Sequence, residues 1–202
     1  MIDARPYQWP YDGLLEPTRM GAIIIGPQQV LVNLGHNEHV VWACRGLLRA
    51  VRAAGAKVIV VRYGRGSGIP ALSALIPEEG TSEWNFIEEL APQPDDMVIN
   101  APTLDAYHAT HLDLVLRRVG IDRLIFCGFG TEAGIYATLV TANDLGYECL
   151  TVANACAGVD PQLHEATIQM IINVPGVYGV VSQASTVVEA LGRAGRKRGD
   201  GC

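Results

Sequence analysis

Short unbroken apolar runs, alternating with segments of helical period, constrain this chain more than any other feature. GAIIIG (21–26), KVIVVRY (57–63), a stretch at about Met97–Asn100, RLIFCGFG (123–130) and part of YECLTVANACAG are too short for buried helices. Such runs are apolar on both faces, as strands of a parallel sheet covered on both sides must be. Between them lie helical segments. HVVWACRGLLRAVRAAG sets Val40, Ala43, Leu47, Leu48 and Val51 at helical spacing, with Gly55 as a stop signal. THLDLVLRRVG is a helix capped by Thr110, and TEAGIYATLVTANDLG and HEATIQMIINVPG are two more. VYGVVSQASTVVEALG adds a last short strand and a helix, and Trp84–Leu90 a short amphipathic segment. Strand and helix alternate throughout, so the expected fold is three-layer α/β: a parallel sheet, helices on both faces, right-handed crossovers.

A chain of 202 residues, 49% hydrophobic, fills one such domain. The expected organisation is an N-terminal arm over 1–20, a domain over 21–192 and a flexible tail over 193–202. The arm holds Tyr7, Trp9 and Tyr11 among prolines and must lie on its own domain or a neighbour to keep those rings from water. An arm that bridges copies would make the chain an oligomer. No apolar run is long enough to span a bilayer and the start does not read as a secretory signal. The net charge of −6 excludes nucleic acid as the main partner. Cys44, Cys127, Cys149, Cys156 and Cys202 are dispersed without C-x-x-C spacing, as free thiols in a reducing, cytoplasmic setting would be.

In open α/β sheets, chemistry sits at the carboxyl ends of strands, here Gly26–Gln29, Asn100–Tyr107 and Gly128–Gly134. The last runs from a buried strand into a helix N-terminus whose free N–H groups suit an anion, although the same glycines suit a plain tight turn. His36 and His39, like His108 and His111, are three apart but lack further ligands at metal spacing, so surface or capping roles are expected and no metal or cofactor is implied. Cys127 lies inside an apolar strand, a packing position rather than that of an activated thiolate. Asp105 and Glu132 are the carboxylates nearest the strand ends.

Several long segments in order carry a resemblance: AIIIGPQ, then NAPTLDAYHATHLDLVLRRVGIDRLIFCGFGTEAGIYAT. Over nearly its full length the chain resembles the isochorismatase-like cysteine hydrolases, whose fold is a three-layer, Rossmann-like α/β domain. RPYQWPYDG, ANDLGYECL and GVYGVVSQASTVVEAL resemble the biuret hydrolase and ureidoacrylate amidohydrolase branch. The resemblance implies an Asp after the first strand, a Lys before a Pro after the third, and a nucleophilic Cys at a helix start. Those positions hold Gly26, Ala101 and Gly134. Leu104 and Val174 stand where the branch holds carbonyl-gripping Lys and Gln. Gln28, Pro102, Tyr107, Gly128 and Thr131 still fit, so the implied ligand pocket comprises Gln28, Tyr107, Phe129, Gly130, Thr131 and Gly134. Kept family geometry would make Phe129–Gly130 a cis peptide and place an oxyanion hole at the N–H groups of Gly130 and Gly134.

Gly at the Cys position also occurs in true isochorismatases, but their vinyl-ether cleavage keeps the Asp as proton donor, which Gly26 cannot replace. The expected function is therefore a catalytically degenerate member that assembles with itself or with an active amidohydrolase paralogue, or binds a small-molecule ligand. The alternative is an amidohydrolase on a small amide or ureido substrate with relocated residues, drawn from Asp105, His108, Glu132 and Cys156.

Overall fold

The computed structural model describes residues 1–34, 37–69, 73–174 and 176–199. Six parallel strands form one sheet in the order β3-β2-β1-β4-β5-β6: β1 Met20–Ile25, β2 Lys57–Tyr63, β3 Met97–Ala101, β4 Arg123–Phe129, β5 Glu148–Ala157 and β6 Val180–Ser182. The two central strands, β1 and β4, are buried along their whole length, which accounts for their continuous apolar sequence. The chain winds outward from β1 to β2 and β3, then crosses to β4 and winds the other way. The crevice of such a sheet opens where that direction reverses, at the carboxyl ends of β1 and β4.

A short helix α1 (Gln29–Val32) precedes α2 (Glu38–Ala53), followed by α3 (Leu112–Arg118), α4 (Tyr136–Asp144), α5 (Pro161–Asn173) and α6 (Ala184–Gly199). α2 buries Val40, Cys44, Leu47, Leu48 and Val51 and packs across β1, β2, β4 and β5 and against α6. The crossovers before and after the reversal run in opposite directions, so right-handedness puts α4 and α5 on the other face. The sequence α5 begins earlier than its apolar period suggests. Asp160 accepts from the N–H groups of Gln162 (2.7 Å) and Leu163 (3.2 Å), and Pro161 occupies the first turn, where its missing N–H costs nothing. At α3 the side chain of Thr110 does accept from Leu112 N–H (3.2 Å), with His111 as the flanking residue.

The N-terminal arm lies on its own domain. Ile2 and Trp9 are fully buried and pair across a tight reversal, and Arg5 exchanges backbone hydrogen bonds with Val181, covering the outer edge of β6. Arg123, 2% exposed, ties the arm further: it donates to Leu14 O and pairs with Asp12, with Glu148 at 3.7 Å. Against its own domain the arm buries Trp9, half-buries Tyr7 and leaves Tyr11 82% exposed. Two boundaries also move. Trp84–Leu90 holds only a 3-10 turn, Glu88–Leu90, and the basic segment expected as a flexible tail continues α6 to Gly199. His36 and Cys202 lie outside the described residues. Among the described residues no helix is long and apolar enough to cross a membrane.

Candidate functional site

The crevice is built from the ends of four strands. Gly26 follows β1, Tyr63 ends β2, Ala101 ends β3, and β4 leads through Gly130 into a π-helical turn, Thr131–Ile135, that runs on into α4. π-helical turns recur at functional sites, so the geometry of this one matters. Ala101 is the register partner of Tyr63, and its carbonyl accepts from Gly64 N–H at 3.0 Å. The three positions that the resemblance singles out therefore surround a single residue, Tyr63.

Its phenol ring fills the space between them. A Cβ on Gly134 would overlap the Tyr63 hydroxyl and come within 2.7 Å of Cζ and 3.2 Å of Cε2. A Cβ on Gly26 would overlap Leu31 Cδ1 and lie 3.5 Å from Tyr63 Cε2, at a backbone φ of 60° that side chains rarely adopt. Tyr63 is 1% exposed and is held at three points. Its hydroxyl donates to Leu104 O (3.0 Å), its N–H to Gln28 Oε1 (2.7 Å), and its carbonyl accepts from Gln28 Nε2 (2.9 Å). Burial, with the Asp105 carboxylate nearby, pushes the phenol well above its usual range, so it stays neutral.

The predicted pocket residues are thus largely structural. Gln28 is fully buried and, with a further bond to Trp84 O (3.0 Å), locks β2 to the loop after it. Phe129 and Gly134 are buried, and Thr131 is buried with Oγ1 2.8 Å from His164 Nδ1. Gly130 adopts a left-handed conformation, but Phe129–Gly130 is not among the cis bonds, which among the described residues are Arg5–Pro6 and Trp9–Pro10. Gly130 N–H donates to Ala157 O at 2.7 Å, so it is not free for an oxyanion. Tyr107 sits apart, its ring 6.1 Å from that of Tyr147 and its buried hydroxyl without a partner. Val174 follows the last residue of α5, Asn173, on the way to the start of β6, at the end of the strands away from Gly134.

An open cleft of about 550 Å³ lies beside the filled centre, lined by Pro102, Leu104, Asp105, His108, Arg65 and Ile76 among others. Of the four candidates for a relocated mechanism it brings together only Asp105 and His108. Both Asp105 oxygens are engaged, by Tyr107 N–H (2.9 Å) and Thr141 Oγ1 (2.8 Å). Glu132 accepts from Val159 N–H (2.8 Å) and Asp160 N–H (3.2 Å), fixing the entry to α5. Cys156 is buried, and burial pushes its thiol far up, as it does that of Cys149, while contact with the Cys44 thiol together with burial raises that of Cys127. Among the described residues no group of His, Cys, Asp and Glu is placed to hold a metal ion. The residues that sequence reasoning missed are Tyr63 and Leu31. A bulky ring ending an aliphatic strand, opposite two glycines, was the available signal.

Fold and site together define a class: a doubly wound, all-parallel α/β domain whose carboxyl-end crevice is occupied by one of its own side chains. A family model described as the isochorismatase domain matches residues 21–185, and the chain belongs to that family. It is similar to an uncharacterized isochorismatase family protein of Bacillus subtilis, YwoC, at 29% identity over 157 residues, covering 74% of this chain and 83% of that protein. Among solved structures it is similar to a cysteine hydrolase from Pseudomonas syringae pv. phaseolicola, with a TM-score of 0.82 and 23% identity over 93% of this chain and 97% of the other. An isochorismatase family protein from Burkholderia thailandensis gives 0.75 and 26%, covering 88% and 97%.

Proposed function

We propose that this chain has lost the hydrolytic chemistry of its family and serves as an assembly, regulatory or ligand-binding member, with itself or beside an active amidohydrolase paralogue. The observation that carries the reading is the Tyr63 ring standing in the volume between Gly26 and Gly134. Acyl transfer in the family's manner needs a thiolate, groups that generate it, and donors aimed at the developing oxyanion. Gly26 supplies no carboxylate, Ala101 no cation and Gly134 no sulfur. Gly130 N–H is committed to Ala157. A carbonyl brought to Gly134 would meet the phenol. Vinyl-ether cleavage fails on the same ground, because it needs a proton donor at Gly26, and the neutral, buried phenol of Tyr63 keeps its proton in a hydrogen bond to the Leu104 carbonyl.

Among the described residues the alternative, an amidohydrolase with relocated residues, has no nucleophile paired with a base. Asp105 is tied to backbone and to Thr141, and Cys156 is buried within strand β5 of the sheet. The test is turnover. Purified protein incubated with biuret, ureidoacrylate or nicotinamide is expected to release no ammonia above buffer, and isochorismate to remain intact. Saturable turnover of any of these, lost on substituting His108 or Asp105, would overturn the reading in favour of the relocated mechanism.

A further inference from the structure

The cleft beside Tyr63 differs in kind from the filled centre. Its walls are largely apolar, from Ile69, Ile76, Pro102 and Leu104, and few polar groups interrupt them. Most of those groups are spent within the chain. Both Asp105 oxygens accept hydrogen bonds, Thr103 Oγ1 donates to Asp105 O (3.1 Å), and Ser73 Oγ accepts from Leu75 N–H (3.2 Å). Arg65 is the exception. Its Nη1 donates to Ile69 O (2.6 Å) and pairs with Glu78 (3.1 Å), but its Nε is buried and has no acceptor among the described residues. A buried cationic donor left unpaired is costly, and folded proteins seldom keep one without a water, an ion or a ligand to meet it. The Nε and Nη2 hydrogens of a guanidinium point the same way, a fork that matches the two oxygens of a carboxylate.

We propose that this cleft holds a small monocarboxylate on an apolar body, its carboxylate on the Nε–Nη2 fork of Arg65 and its body between Leu104, Ile76 and Pro102. The inference rests on the reading of the chain as a ligand-binding member and names the class of ligand. Acid rather than amide is what the donors select. The fork meets a carboxylate through two charge-assisted bonds, whereas an amide offers it one neutral acceptor oxygen. Glu78 leaves the fork open, because it occupies Nη1 on the other edge of the guanidinium. An apolar cleft of about 550 Å³ with a few polar groups is also the usual form of a small-molecule site.

Isothermal titration of the full chain with benzoate and with benzamide tests this. Benzoate is expected to bind saturably, one per chain, and benzamide roughly 10-fold more weakly, as loss of a charge-assisted bond implies. Arg65→Gln, and Arg65→Lys, which keeps the charge but lacks the fork, should each weaken benzoate by a similar factor and leave benzamide unchanged. Backbone amide shifts in the wild type locate the site without any variant: benzoate should move Ile69, Leu104 and His108 and leave Gly26 and Gly134 still. Absence of saturable benzoate binding overturns the proposal, as does benzamide binding equally well, or a set of shifts that omits Ile69 and Leu104. Turnover reports separately, because hydrolysis of biuret or ureidoacrylate would overturn the loss of hydrolytic chemistry whether or not benzoate binds.

Discussion

Gly134→Ala is expected to destabilise this protein, against the sign that helix propensity dictates. Gly134 lies in the helical turn Thr131–Ile135 without a positive φ, where alanine would ordinarily add about 1 kcal/mol. Here the added methyl overlaps the Tyr63 hydroxyl and approaches Cζ to 2.7 Å. The ring cannot retreat without breaking its 3.0 Å bond to Leu104 O, and its backbone is clamped by Gln28. Overpacking a buried site costs about 1–3 kcal/mol, and the lost hydrogen bond roughly 1 more. The net loss is therefore about 1–3 kcal/mol after the propensity gain, or a fall in Tm of roughly 3–10 °C for a chain of this size. In a Tyr63→Leu background the methyl has room, so Gly134→Ala should be neutral or stabilising. The double-mutant cycle, read by urea unfolding, should give a coupling of roughly 1–3 kcal/mol. A stabilised Gly134→Ala in the wild-type background would refute the claim that the phenol occupies the centre.

Other expectations follow from the same contacts. Tyr63→Phe, which keeps the ring and leaves the Leu104 carbonyl only its longer bond from Thr138 Oγ1 (3.4 Å), should cost about 1 kcal/mol in urea unfolding. Arg123→Met removes the buried cation that holds Leu14 O and the exposed Asp12; it should cost about 1–3 kcal/mol in lost charge-assisted hydrogen bonds and expose the arm to limited proteolysis near Tyr11. Burial holds His164 below the ordinary histidine range, so the unfolded chain takes up its proton first as pH falls. The stability contributed by neutral His164 is complete above about pH 6.5 and declines as pH falls below it, so wild-type Tm should drop between pH 7 and 5 more than that of His164→Gln. With Cys202 replaced by Ser, no thiol should react rapidly with a disulfide reagent at neutral pH, because Cys44, Cys127, Cys149 and Cys156 are buried.

What could be read in the sequence follows physical range. The strands were legible because burial on both faces leaves a continuous apolar run, and α2 because its buried stripe repeats at helical spacing. The positions around the crevice were legible through resemblance, as Gly26, Ala101 and Gly134. What occupies that crevice was not, because Tyr63 is far from all three in sequence and reaches them only through the parallel register of β2 with β1 and β3. The arm was legible only in part for a similar reason. Its aromatics signalled burial, but whether they bury against the same chain depended on Arg123 and the open edge of β6. The basic end reads as a loose tail by composition, yet α6 carries on through it to Gly199.

The central claim is that the crevice cannot admit a substrate because Tyr63 already fills it. The most direct measurement is an NMR titration of the isotope-labelled protein with biuret, following the backbone amides of Gly26 and Gly134. The account predicts no saturable shift at either amide in the wild type, and shifts only once Tyr63→Ala opens the space. Saturable shifts at Gly134 in the wild type, with the Tyr63 ring resonances moving in step, would contradict it.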